Sequence, residues 1–397
     1  MRDVPTARWR PLSPAERAVA IEVLRHGPSS RSEIARRLGM SGGSITRLAK
    51  PLIDAGLLTE RSGPAPVTGQ GRPGRPLDIV TDPWHFVGLK VTADTVYGVV
   101  TTLKSTVVRR ASSPLPARDP DTVAETAHAV IAGFAEEYPR LAGVGAGIGG
   151  RVRDRAVVAE SPYLDWEEVP FAELLAERTG LPVVLENDVV ALTESETWFG
   201  AGRGLDRFVV LTIGAGVGYG LVIGGRQVRG AHDGRRTPEH WILDPSGPLG
   251  PDGRRGSAGA LLTIPAVERQ VRAATGGDAD YEDILARARR AEPVAARVVG
   301  EAARGLGVLL AQIANFVMPQ KILLAGEGVG LVDVAGGVVT DTIAAHRHPL
   351  AEPVPLETKV SDFHDWARGA AVLAIQVLVL GGTGGGTGEG TGGRPDA

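Results

Sequence analysis

Apolar residues fall at two spacings along this chain, and the change comes near residue 80. Before it they recur every three or four positions in three short runs. Val19, Ile21, Val23 and Leu24 lie in the first, Ile34, Ala35 and Leu38 in the second, and Ile45, Leu48, Leu52 and Ile53 in the third. That period predicts three amphipathic helices. Ser13-Pro14-Ala15-Glu16 combines an N-cap, a proline in the first turn and a capping-box glutamate, and Gly27-Pro28 stops the helix. Ser30 opens the second helix with Glu33 three residues on, and Gly39 stands where a left-handed C-terminal cap is expected. After a turn at Met40-Ser41 the third helix runs from about residue 42 to 55, and Gly56 ends it. Residues 57–61 predict a strand. A Gly/Pro-rich stretch follows and closes on Gly71-Arg72-Pro73-Gly74-Arg75-Pro76.

From Trp84 the apolar positions form short continuous runs set between glycine turns. Strands are predicted at residues 86–91, 96–101, 107–108, 144–148, 183–185, 208–212, 221–223 and 322–324. Helical spacing returns at 123–138, 171–179, 294–316 and 367–380. Strands alternating with helices predict an α/β body, and its length suits two lobes around a cleft. The turn Gly214-Ala215-Gly216-Val217-Gly218 either brings backbone N–H groups to a phosphate or is an ordinary hairpin without a ligand. Residues 381–397 are Gly/Thr-rich without apolar content and are expected to be disordered.

Two short helices joined by a three-residue turn form a helix-turn-helix whose second helix enters the major groove of DNA. On that helix Ser44, Thr46, Arg47 and Lys50 are placed to meet base edges and phosphates. The proline-stiffened loop presents Arg72 and Arg75, which suits a wing entering the minor groove. Residues 11–76 are therefore expected to be a winged helix-turn-helix. A protein-interaction module is the alternative for the three helices, and a solvated linker for the loop. Charge favours the nucleic-acid reading. Residues 1–76 hold 13 Lys/Arg against 6 Asp/Glu, a net of +7, whereas the rest of the 397-residue chain is net −10. A basic head on an acidic body points to a polyanionic partner.

The remaining totals exclude rather than assign. There are no cysteines, hence no disulfide and no thiolate metal site. No uninterrupted apolar run reaches membrane-spanning length, and the N-terminus lacks the apolar core of a secretory signal. A cytoplasmic protein without a membrane partner is expected.

The winged-helix head, the segment TGLPVVLENDVVALTESETWFGAGRG, the strand-turn LTIGAGVGYGLVIGG and the block HWILDPSGPLGPDGRRGS occur in an order and spacing that together resemble the ROK family (repressors, open reading frames, kinases). The resemblance covers residues 11–380. It implies a sugar-kinase/actin-like, ribonuclease H-like body, with residues 84–187 and 365–380 in the first lobe and 188–364 in the second. Asn187 and Asp188 match the pair that in enzymatic members binds sugar hydroxyls and supplies the general base. Gly214, Gly216 and Gly218 match the second phosphate loop, and Gly326-Glu327-Gly328 resembles the turn on the nucleotide side. Gly150 and His240 match sugar-pocket positions, and Glu239 beside His240 is a candidate substitute for a missing acid. For Asp188 the alternative is a helix cap or a buried hydrogen-bonded carboxylate; for His240 it is a structural histidine.

The departures carry as much weight. Where the kinases have Gly-x-Asp-x-Gly-Gly-Thr, this chain reads Gly88-Leu89-Lys90-Val91-Thr92-Ala93-Asp94. A cation replaces the metal-serving Asp, so no kinase activity is expected. The family's zinc ligands are a His and three cysteines, and here Gly250, Asp252 and Ser257 stand for the thiolates. No zinc and no ATP–Mg cofactor are expected, and the loop must be held by other contacts or be mobile. Thr237 and Gly259 replace two acidic sugar contacts. The leading expectation is a carbohydrate-sensing transcriptional regulator, more specifically a repressor, that binds a double-stranded operator as a dimer or tetramer. A sugar or sugar-phosphate effector would contact Gly150, Asn187, Asp188, Glu239 and His240. An ATP-dependent sugar kinase with a regulatory head and a ligand-free regulator are the alternatives.

Overall fold

The computed structural model describes residues 10–61, 75–230, 237–360 and 362–381. These fall into two compact units, residues 10–80 with 374–381, and residues 81–373.

In the first unit α1 (Pro14–His26), α2 (Arg31–Leu38) and α3 (Gly42–Asp54) precede a hairpin of β1 (Leu58–Glu60) and β2 (Leu77–Ile79). Both expected capping boxes form. Ser13 and Ser30 each accept from the backbone of the glutamate three residues on, and each glutamate accepts from the cap backbone. Gly39 is left-handed, at φ 63 and ψ 30, and ends α2. The core of α3 differs from the expected set: Ile45 and Leu52 are buried as expected and Ala49 joins them, while Leu48 and Ile53 are half-buried. The inward stripe follows i, i+4, i+7, and small Ala49 lets α3 sit close to α1 and α2. β1 and β2 pair antiparallel, Leu58 opposite Ile79. Leu77 also exchanges backbone hydrogen bonds with Ser29 at 2.9 and 3.0 Å, which ties the hairpin to the α1–α2 turn.

The second unit contains two five-stranded mixed sheets. One has β3 (His85–Val91), β4 (Thr95–Thr102), β5 (Val107–Pro114), β6 (Leu141–Ile148) and, after the small meander β7 (Arg151–Arg153), β8 (Val157–Ser161) and β9 (Trp166–Val169), the strand β10 (Val183–Asn187). Its order is β10-β6-β3-β4-β5, with β10, β6 and β3 parallel. The other has β11 (Arg207–Ile213), β12 (Val217–Ile223), β13 (Arg226–Gln227), β14 (Lys321–Ala325) and β15 (Leu356–Lys359), in the order β13-β12-β11-β14-β15. Helices α4 (Pro120–Glu137) and α5 (Phe171–Thr179) cover the first sheet, burying Val123, Ile131, Phe134 and Phe171. Around the second sheet pack α7 (Ala258–Leu262), α8 (Ile264–Thr275), α9 (Tyr281–Arg289), the 25-residue α10 (Pro293–Val317) and α11 (Gly330–Ala345). Between them α6 (Asp188–Phe199) follows β10 directly, and α12 (Phe363–Ala374) comes last.

The sequence did not predict β2, β13, β15, α6, α7, α8, α9 or α11, and further differences concern the following segments. The meander β7–β8–β9 was illegible because its strands are three to five residues long and carry charges such as Arg151, Arg153, Glu160 and Glu167. β12 starts at Val217, so Gly218 and Gly220 lie inside a strand; a Cβ at Gly220 would collide with the Thr193 hydroxyl of α6, and one at Gly218 with Val189. These glycines admit a helix to the sheet. The helix expected to run to residue 380 is α-helical only to Ala374, and Ile375–Val379 is a π turn. Finally, Glu327–Ala345 has the length and mean hydropathy, 1.4, of a membrane span, although Glu327, Asp333 and Asp341 interrupt it. Leu331 and Val339 of this segment lie in the core beside α10.

Candidate DNA-binding head and ligand cleft

Ser41 caps α3 by accepting from Ser44 N at 3.2 Å. The face opposite the core carries exposed Thr46, Arg47 and Lys50 and half-buried Ser44. Their engagements differ. The Ser44 hydroxyl is bonded to Ser41 Oγ at 2.9 Å, the Thr46 hydroxyl donates to Gly42 O at 3.0 Å, and Lys50 lies 3.4 Å from Asp54. Arg47 makes no hydrogen bond or ion pair with the described residues. Arg75 is exposed and its carbonyl accepts from Arg31 at 3.4 Å. Arg72 lies outside the described residues. Arg31 also pairs with Glu60 at 2.5 Å, fixing α2 against β1.

In the body, β3, β6 and β10 deliver their C-terminal ends side by side. Lys90 on β3 is in register with Gly147 on β6, which is in register with Glu186 on β10. α6 begins at the next turn. Asn187 is its N-cap, accepting from Val190 N at 3.1 Å, while its amide donates to Gly150 O at 2.9 Å. Both ends of the Asn187 side chain thus serve backbone. Asp188 accepts from Val189 N at 2.8 Å with one oxygen and from the Lys90 ammonium with the other. Lys90 is only 6% exposed and also lies over the Trp366 ring, 5.4 Å from its centroid. A buried ammonium is costly without a partner, and Asp188 supplies one. One layer behind, buried Glu186 accepts from Arg229 at 2.6 Å and from Asn187 N at 3.0 Å.

Two adjoining cavities open here. The first, 680 Å³, is lined by Lys90, Asn187 and Asp188 together with Tyr163, Trp241 and Trp366. The Tyr219 phenol on its wall is pushed up to about 12 by burial and stays neutral. The second, 850 Å³, shares Gly150, Tyr163 and Ala215 with the first and is lined further by Glu239, His240 and Asp252. Both volumes suit a small molecule. Gly150 has φ +144, and a Cβ there would strike Glu160 O, so only glycine fits.

The sequence-selected residues therefore divide between the cavities. Asn187 and Asp188 line one, Glu239 and His240 the other, and Gly150 lines both. Glu239 accepts from Val217 N at 3.0 Å. His240 is exposed, with Nδ1 3.2 Å from Asp252 Oδ2. Burial opposes ionisation of Asp252, but the Arg254 amide and His240 hold its carboxyl below the usual range.

The loop that follows His240 is fixed by backbone contacts. Leu243 N and Asp244 N donate to Gly256 O at 2.8 and 3.1 Å, Gly256 N to Pro248 O at 2.8 Å, and Ala258 N to Trp241 O at 2.8 Å. Ser257 caps α7 by accepting from Ala260 N at 3.2 Å. Among the described residues no group of three or more His, Cys, Asp or Glu is arranged to hold a metal ion. The β11–β12 turn is closed by Gly214 N donating to Gly216 O at 3.0 Å. The Glu327 carboxylate lies on this turn, with Ala215 N donating to Oε1 at 3.4 Å. Sequence reasoning missed the seat of Glu327, the Arg229–Glu186 pair and the identity of Lys90's partner; the only available signal was the presence of Lys90 where an acid is expected.

Two mixed sheets whose strand ends frame a cleft, with a winged helix-turn-helix in the same chain, define a sugar-kinase-like body joined to a DNA-binding type of head. Residues 86–377 match the ROK family, and the chain belongs to it. Residues 11–66 match the MarR family. The chain is 25% identical to the DNA-binding transcriptional repressor Mlc of Escherichia coli K12 over 369 residues, 87% of this chain and 89% of that protein. It is 38% identical to the glucokinase of Thermotoga maritima over 185 residues, 46% of this chain and 52% of the enzyme. A crystal structure of a ROK family transcriptional regulator homologous to E. coli Mlc superposes with a TM-score of 0.77 at 24% identity, covering 92% of this chain and 98% of that one. The family contains regulators and kinases, and these near-full-length matches are to regulators.

Proposed function

We propose that this protein is a DNA-binding transcriptional regulator, a repressor of carbohydrate-related genes, whose ROK body senses a sugar or sugar derivative. The observation that carries this reading is the Lys90–Asp188 pair. The carboxylate that would accept a proton from a sugar hydroxyl is held by a protein cation, which stands where phosphoryl transfer requires an acid for the metal. The Glu327 carboxylate adds negative charge at the turn that would receive phosphates. These residues do not fit ATP–Mg, and no phosphoryl transfer is expected. Nor do His240, Gly250, Asp252 and Ser257 fit a tetrahedral zinc site; backbone hydrogen bonds hold that loop instead.

The body then acts as a sensor. Asp188, with Asn187 and Gly150 beside it, faces one cavity, and Glu239 and His240 face the other, so a carbohydrate spanning both would bring their walls together. In a cytoplasmic dimer or tetramer, such closure would alter the spacing of paired heads, which must match operator half-sites. Major-groove contacts are assigned to Ser44, Thr46, Arg47 and Lys50, and wing contacts to Arg72 and Arg75. An electrophoretic shift assay on the protein's own promoter, with and without a panel of sugars, tests the reading. Specific retardation altered by one sugar is expected; folded protein that selects no DNA sequence refutes it. The stretch of greatest identity to a glucokinase favours the kinase alternative, which predicts ADP release with hexoses that is abolished by Asp188→Ala.

A further inference from the structure

The 850 Å³ cavity contains a feature that a neutral sugar does not explain. Half-buried Arg151, from β7, and exposed Arg269, from α8, both line it. Arg151 Nε is buried with no hydrogen-bond partner. Neither guanidinium forms an ion pair with any described residue. The acids around them are engaged elsewhere: Asp252 with His240 and the Arg254 amide, Glu239 with the Val217 amide, and Glu168, which feels the charge of Arg151, in a two-pronged pair with Arg153. Glu160 is opposite Arg151 in strand register but makes no ion pair with it. A buried N–H without an acceptor is costly, and Arg151 Nε lacks one.

We propose that Arg151 and Arg269 form an anion subsite, so that the effector is a carbohydrate bearing a negatively charged group, a phosphate ester or a carboxylate. A planar guanidinium presents paired N–H donors that match either group. An anion bound there would give Arg151 Nε its acceptor, with Arg269 as a second cation on the same cavity lining. This rests on the carbohydrate-sensing reading above.

The test is calorimetry on the full chain with glucose, glucose 6-phosphate and glucuronate, repeated on Arg151→Gln, Arg269→Gln and the double variant. The acidic sugars are expected to bind at least about tenfold more tightly than glucose, and each single variant to lose about tenfold of that advantage. In the double variant acidic and neutral sugars should bind alike. Preference for glucose 6-phosphate identifies a phosphate ester as the group recognised, and preference for glucuronate a carboxylate. Equal binding of neutral and acidic sugars by the native protein overturns this inference alone, as does an acidic preference that survives in the double variant. Binding of none of the three by folded protein, combined with an unaltered operator complex, overturns it together with the carbohydrate reading.

Discussion

The Lys90 ammonium is buried, held by Asp188 and covered by Trp366. Removing one member of a buried pair leaves the other charge uncompensated, at a cost of about 3–5 kcal/mol, while replacing both with neutral groups costs much less. Lys90→Met should therefore lower the denaturation midpoint sharply, and Lys90→Met combined with Asp188→Asn should recover most of the loss. Strict additivity in that double-mutant cycle would show that the pair is not coupled. Asp188→Asn alone is expected to abolish the sugar response while leaving operator binding intact, as read by the same shift assay. Lys90 was legible in the sequence as a cation in an acidic position. Its partner was not, because Asp188 lies 98 residues away and meets it only through the alignment of β3, β6 and β10.

Elements of the head were legible because their signals are local. Ser13 and Glu16 lie three residues apart and close a capping box whatever the rest of the chain does. The hydrogen bond from Arg10, at 2.6 Å, and then the Ser13 backbone N–H hold the Glu16 carboxyl down at about 2, against an ordinary 4.5. The sign follows from the lowered value: the contribution of Glu16 is complete above about pH 4.5 and is lost as pH falls from there towards 2. Glu16→Gln should lower stability at neutral pH and flatten the acid limb of the stability curve in that window, measurable by circular dichroism across a pH series. On α3 the structure adds a ranking that the sequence lacked. Ser44 and Thr46 hydroxyls are already bonded within the helix, whereas Arg47 is open. Arg47→Ala is expected to weaken specific operator binding by about 1–3 kcal/mol if it reads a base, or to reduce the salt slope by about one if it meets a phosphate. Ser44→Ala should cost less than Arg47→Ala.

At the scale of the molecule, the two compact units have separate cores: one around Val19, Ile45 and Leu52, and others in the body around α4, α10 and Phe208. Calorimetry should resolve two unfolding transitions, and Ile45→Ala, which empties a fully buried site, should shift only one of them. A single transition that moves as a whole would show that the units unfold together. The charge division supports the same separation of roles. A net +7 segment carries the helix proposed to contact DNA, and the net −10 remainder is unsuited to meet a polyanion. A ligand in the body can regulate the head only by its differential affinity for two arrangements of the chain.

By itself the sequence determined what depends on neighbours a few residues apart: the caps and periods of α1, α2 and α3, the alternation that makes the body α/β, and the substitutions at residues 90 and 250–257. The tertiary structure decided what depends on distant segments meeting. It paired Lys90 with Asp188, placed Glu327 on the β11–β12 turn, turned Gly218 and Gly220 into packing positions for α6, and set Arg151 and Arg269 on one cavity. The division has one physical cause. Caps and helical period act through backbone geometry within a turn or two of chain, whereas charge pairing and cavity lining depend on register and packing between strands and helices far apart in sequence.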